Sequence, residues 1–206
     1  FEVTTLSGED LKKTELYHAN AERRRAQAAF ADYGAYLDSL EMTATIRGFE
    51  PLYIQRIAQL TNKSNQFNLT TLRCSEDDIR GMADDPSWLC LYGKLVDKFG
   101  DNGVVTVVAG QAEGEILHLR LWLMSCRVLK RGMEDAMMDA VVADAAARGL
   151  KTIRGYYYPT AKNGMVKEFY AGMGFTQVEA DEEGNTTWEL TVAQYTPRHP
   201  HMKIER

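Results

Sequence analysis

From Glu115 to Met124 the leucines at 117, 119, 121 and 123 alternate with Ile116, His118, Arg120, Trp122 and Met124. A period of two is that of a pleated strand, whose successive side chains point to opposite faces. Beyond Gly132 the period changes. Met133, Ala136, Met137, Ala140 and Val141 recur at three- and four-residue steps, the stripe of an amphipathic helix, with Gly149 as the expected stop signal. The junction from Ser125 to Asp135 combines a glycine, the cations Arg127, Lys130 and Arg131, and helical N–H groups without a partner inside the helix. Such a junction suits a phosphate or pyrophosphate. An ordinary turn with solvated charges is the plainer alternative.

The same reading extends along the chain. Ser7, with Glu9 and Asp10, caps a helix running to about Phe30 that is too polar to define a strong apolar face. A short helix near Tyr36 to Leu40 precedes a strand over Met42 to Phe49. Pro51 opens a helix to about Leu60, and Ser75 with Asp78 starts another that ends near Met82. Trp88 to Phe99 and Val104 to Gly110 read as strands joined at Asp101-Asn102-Gly103, because Asn-Gly is a strong hairpin signal. Lys151 to Tyr157 is a strand, and Val166, Phe169, Tyr170 and Met173 mark a helix. Phe175 to Glu179 and Thr187 to Val192 close the series. Residues from Pro197, with His199 and His201, read as a flexible tail and a weak metal signal. The order predicts an α/β (α+β) domain with a mixed, mainly antiparallel sheet of about six to seven strands flanked by helices. It divides the chain into a helical segment at 1–40, the main domain at 41–196 and a tail at 197–206.

Composition narrows the classes. The 206 residues are 45% hydrophobic and 26% charged, enough for a good core. A net charge of -5 argues against a general nucleic-acid binder, whose affinity rests on a broad basic face. Cys74, Cys90 and Cys126 are scattered, with no C-x-x-C, so neither a disulfide framework nor a zinc site is expected. No apolar run is long enough to span a bilayer, and a cytoplasmic location is expected. The stretch from Asn62 to Thr71 is dense in amides and hydroxyls, fit for a plain polar loop or for one that faces a substrate.

The element order, the basic turn after the fourth strand, Asn163 and the run Phe169-Tyr170-Ala171-Gly172-Met173-Gly174-Phe175 resemble the GNAT acyltransferase superfamily. That resemblance implies a sheet splayed between its fourth and fifth strands. Its members commonly carry R/Q-x-x-G-x-G/A at the turn, which binds the pyrophosphate of coenzyme A. Aligned on Gly132, this chain has Leu129 where Arg or Gln is expected and Glu134 where Gly or Ala is expected. Over nearly its whole length the chain is also similar to the C-terminal part of FkbH-like proteins. The residues that carry this are Asn62 to Thr71, Ser125 to Asp135 and Pro159 to Asn163. Those are multidomain enzymes with an N-terminal haloacid-dehalogenase-type phosphatase domain, associated with loading glyceryl groups from a phosphoglycerate donor onto an acyl carrier protein. The resemblance implies that residues 1–40 are the end of a phosphatase region, and that the partners are that upstream domain and an acyl carrier protein. It implies as cofactor a carrier's phosphopantetheine arm, or coenzyme A or acetyl-CoA; from the composition, no metal, nucleic acid or membrane is expected.

Residue roles follow from both readings. Cys126, flanked by Arg127 and close to a helix start, is the candidate nucleophile, since a thiolate far outperforms a hydroxyl near neutral pH; a small residue packed at a strand end is the alternative. Tyr170 is the candidate acid toward a leaving thiol, or else one more core residue. Arg127, Lys130, Arg131, Gly132 and Asn163 are expected to hold the phosphorylated thiol arm. Asn62, Asn65, Gln66, Asn68 and His118 are expected on the substrate side. His118 shares its face with Cys126 by strand parity, but about 26 Å of extended chain separates them. The rival functions are a non-catalytic module that docks the carrier arm and an acetyl-CoA-dependent N-acyltransferase.

Overall fold

A computed structural model describes residues 8–206, so the cap expected at Ser7 lies outside the described residues. In chain order the elements are α1 (Gly8–Ala28), α2 (Tyr33–Ser39), β1 (Thr43–Arg47), a 3-10 turn at Pro51–Tyr53, α3 (Ile54–Lys63) and α4 (Glu76–Asp84). Then follow β2 (Trp88–Asp97), β3 (Gly100–Glu113), β4 (Ile116–Met124), α5 (Met133–Ala147), β5 (Thr152–Tyr157), α6 (Phe169–Gly172), β6 (Thr176–Ala180), β7 (Thr186–Thr191) and β8 (Lys203–Glu205). The strands form one eight-stranded sheet in the order β6-β7-β5-β4-β3-β2-β1-β8. Only β4–β5 and β1–β8 pair in parallel.

Local chemistry accounts for several boundaries. Ser75 and Asp78 exchange side-chain and backbone hydrogen bonds in a capping box at the start of α4. Asp32 caps α2 through the Gly34 N–H at 3.0 Å, which is why that helix begins earlier than its apolar residues suggest. Two buried clusters cover the sheet. One gathers α2, α5 and α6 residues such as Leu37, Met137 and Tyr170, and the other gathers Ile54, Ile57, Leu60 and Ile79 of α3 and α4.

The strict alternation along β4 does not survive. Ala109 pairs with Leu121 and Gly110 with Leu119, so Arg120 is the extra residue of a bulge. Leu117 and Leu119 consequently join the same cluster as Trp122 and Met124, while Leu121 and Leu123 join the other. His118 therefore does not share a face with the residues leading to Cys126, because one inserted residue reverses parity.

The Asn-Gly hairpin is also displaced. The turn falls at Lys98-Phe99, where the Asp97 carboxylate accepts the N–H groups of Phe99 and Gly100 at 3.0 and 3.2 Å. Asn102 and Gly103 instead make an irregularity inside β3, with Gly103 at φ +68°. The stretch expected as a flexible tail is tied down. Tyr195 donates to Asp139 at 2.5 Å, the N–H groups of Arg198 and His199 donate to the same carboxylate, and residues 203–205 pair with β1 as an edge strand. Main-chain donors and acceptors on the open edge of β1 explain the docking, and no apolar period announces it.

Asp97 is the electrostatic anchor. Its fully buried carboxylate takes a bidentate pair from Arg23 of α1 at 2.5 and 2.7 Å, and Arg131 stands 3.5 Å away. Removing the charge from one partner strands the others in a low dielectric. Asp97→Asn should lower unfolding free energy by about 3–5 kcal/mol in urea denaturation, and a loss below about 1 kcal/mol would contradict the anchoring role.

Candidate functional site

β4 and β5 pair only from Ile116↔Thr152 to Leu119↔Gly155, so the two strands part beyond that point. Each backbone group on the freed edge of β4 needs a partner, and the amide-rich stretch supplies it. Met124 donates to Phe67, Leu69 donates to Trp122, Asn68 forms a bridge with Leu123, and the Thr70 hydroxyl donates to Arg120. On the other side Tyr158 N–H donates to Leu69 at 2.9 Å. Residues 67–70 therefore fill the gap between the two strands.

This insertion carries the preceding residues to the surface beside the turn after β4. There a cavity of about 590 Å³ is lined by Arg56, Lys63, Asn65, Gln66, Cys126, Arg127 and Lys162, among others. Cys126 is exposed in a 3-10 turn capped by Ser125, and its thiol donates to the Gln66 carboxamide oxygen at 3.3 Å. Among the described residues none of the four cations has a carboxylate within ion-pair distance. Burial first, then the charge of Arg127, holds Arg56 below the usual guanidinium range; burial and Arg23 do the same to Arg127. Cations held together without a counter-ion favour an anionic ligand. Sequence reasoning missed Arg56, Lys63 and Lys162. Arg56 and Lys63 lie seven residues apart on the polar side of α3, and Lys162 sits inside the run Pro159 to Asn163, so both signals were present.

Of the other predicted residues, Asn65 lines this cavity and the rest are spread elsewhere. Asn62 donates to the carbonyls of Ala58 and Cys74, each at 2.9 Å, and Asn65 accepts from Arg73 at 2.6 Å. Asn68 is fully buried and bonded to Ser64 and Thr71. Asn163 is also fully buried, donating to the carbonyls of Asn68 and Tyr158 and accepting from Thr160 and Tyr157, which leaves no free donor for a ligand. Arg131 belongs to the Asp97 anchor. Tyr170 is sealed in the core, its ring so close to Gly155 that a Cβ there would stand 2.5 Å from Cζ. Its hydroxyl has no partner, and burial pushes its pKa far up, so it is cut off from any thiol at the surface. His118 sits near the start of β4, sharing a 2.6 Å hydrogen bond with the Tyr156 hydroxyl, with Glu113 3.6 Å away. Burial and then Arg120 lower its pKa. Among the described residues no group of three His, Cys, Asp or Glu could hold a metal ion, and no helix is long and apolar enough to cross a membrane.

Gly132 begins α5 as expected, at φ +98°, with Lys130 at φ +61°. The Glu134 carboxylate turns back onto this start, accepting the Lys130 N–H at 3.0 Å, with the neighbouring main-chain amides of Gly132 and Glu134 also favouring its charged form. Burial outweighs those bonds and holds its carboxyl above the usual range.

The mixed, mainly antiparallel sheet and its flanking helices match the GNAT fold. No protein-family model matches the sequence, and no curated protein matches it either. Solved structures do. The chain is similar to the spermidine N-acetyltransferase from Vibrio cholerae in complex with CoA and spermine, with 13% identity, TM-score 0.57, and 74% of this chain and 97% of that one covered. It is similar to the ribosomal-protein-S18-alanine N-acetyltransferase from Escherichia coli at 13% identity and TM-score 0.55, covering 75% and 97%. Ard1 from Thermoplasma volcanium matches at 18% identity and TM-score 0.55, covering 72% and 97%. At such identities the likeness establishes the fold alone. Coenzyme A is the group this fold implies, but here the Lys130 N–H just before α5 is already taken by the Glu134 carboxylate, whose charge repels an incoming phosphate. The residues at this turn do not fit its pyrophosphate.

Burial pushes the Cys74 thiol up to about 11 and the Cys90 thiol up to about 12, which leaves both protonated near neutral pH. Iodoacetamide at about pH 8 should label Cys126 alone in the native protein, as read by peptide mass spectrometry. Comparable labelling of Cys74 or Cys90 would contradict the site.

Proposed function

We propose that this domain transfers an acyl group through a thioester on Cys126, from an anionic acyl phosphate of the phosphoglycerate type to the phosphopantetheine thiol of an acyl carrier protein. The observation that carries the reading is the exposed Cys126 thiol in a cavity with four cations that lack carboxylate partners. In the first half-reaction Sγ attacks the acyl carbon, the C–O bond to phosphate breaks, and phosphate leaves with the electron pair. The thiol proton passes to water, since the cavity is lined by neither histidine nor carboxylate. In the second, the carrier thiolate adds to the thioester carbonyl, the C–S bond to Cys126 breaks, and the cysteine is regenerated. Arg56 and Arg127 can each bind an oxyanion bidentately, with Lys63 and Lys162 adding charge. Asn65 and Gln66 are placed to bond the hydroxyl groups of a glyceryl chain. An upstream phosphatase domain would act on the same acyl group. The likeness to N-acetyltransferases favours one other reading, transfer from acetyl-CoA to an amine.

Incubating the chain and its upstream domain with the acyl phosphate of phosphoglycerate should leave a covalent adduct on Cys126 by mass spectrometry, absent in Cys126→Ala. Full transfer to the carrier by Cys126→Ala would reduce the domain to a docking module. Arg56→Ala and Arg127→Ala should each weaken donor binding about tenfold, the cost of one charge-assisted hydrogen bond. Unchanged binding in both would remove the cavity from the mechanism.

A further inference from the structure

Two places in this fold could receive a nucleotide-linked thiol, and the chain occupies both with its own atoms. The first is the freed edge of β4, whose main-chain groups are taken by residues 67–70. An extended arm entering between β4 and β5 would find the ladder already made. The second is the cradle before α5. There Lys130 and Gly132 both take positive φ values, and the Lys130 N–H faces the turn as a donor for an oxyanion. Glu134 places its carboxylate in that cradle.

The surroundings keep it in place. A Cβ on Gly132 would stand 3.0 Å from Cβ of Pro200, so the C-terminal stretch lies directly over the turn. The Tyr33 hydroxyl donates to the Lys130 carbonyl, and Arg198 stands 3.5 Å from Asp135. The adjoining cavity of about 480 Å³ has Glu134, Asp135 and Glu168 in its wall, against Lys130 as its one lysine or arginine. A pyrophosphate entering here would have to displace one carboxylate and sit beside two more.

We infer that Glu134 is the chain's built-in substitute for a phosphate and a specificity-determining residue that excludes coenzyme A thioesters as acyl donors. Its functional meaning rests on the acyl-transfer reading, but it is tested by binding alone, so the two can fail separately. Isothermal titration of the 206-residue chain with coenzyme A and with inorganic pyrophosphate should show no saturable binding at millimolar ligand. Glu134→Ala, with folding checked by thermal denaturation, should gain at least tenfold in pyrophosphate affinity. Glu134→Gln keeps an oxygen on the Lys130 N–H while removing the charge, and should shift in the same direction by a smaller factor. Micromolar binding of coenzyme A by the wild type, or no gain in any folded variant, overturns the inference.

Discussion

The backbone of β4 sets the terms for everything around it. Past Leu119 it loses β5 as a neighbour, yet it lies in the middle of an eight-stranded sheet where water cannot satisfy its donors and acceptors. A buried unpaired main-chain group costs about 1–3 kcal/mol, so the freed edge at residues 120–124 is a heavy liability without a partner. Residues 67–70 relieve it, and in doing so they deliver Gln66 to within hydrogen-bond distance of Cys126. The geometry beside the thiol is a by-product of satisfying the sheet.

Electrostatics then separates two neighbouring surfaces. Asp97 claims Arg23 and Arg131, and its burial makes that cluster structural. Arg127, four residues before Arg131, is left without an acid and faces the cavity with Arg56, Lys63 and Lys162. On the far side of the same turn the balance is reversed, with Glu134, Asp135 and Glu168 gathered at the start of α5. An acidic protein thus presents a local cationic cavity beside its one exposed cysteine among the described residues.

The fold is shared with N-acetyltransferases while the features that would receive coenzyme A are filled from within. A fold supports many chemistries because loops and turns can be rewritten without disturbing the core. Here the rewriting is visible as a loop used as a strand and a glutamate used as an anion. Asn68 and Asn163 illustrate the same trade, since the Asn163 amide ties residue 68 to the segment after β5 while the Asn68 amide bonds Ser64 and Thr71 of its own loop, and so neither can also serve a ligand.

From the residues alone came what periodicity and capping control: the strands on either side of the sheet centre, the glycine start of α5, the capping box at Ser75, and the α/β class. Such signals act within a few residues, so they can be read without a partner. The tertiary structure alone decided the bulge at Arg120, which reversed the face of His118, the use of Asn102-Gly103 inside a strand, and the recruitment of residues 203–205 as an edge. It also decided the fate of the polar side chains. An amide or guanidinium bonds equally well to backbone, to an acid or to a ligand, and only elements distant in sequence determine which is within reach. That is why Arg131 became part of the Asp97 anchor while Arg56, on another helix, came to stand beside Cys126.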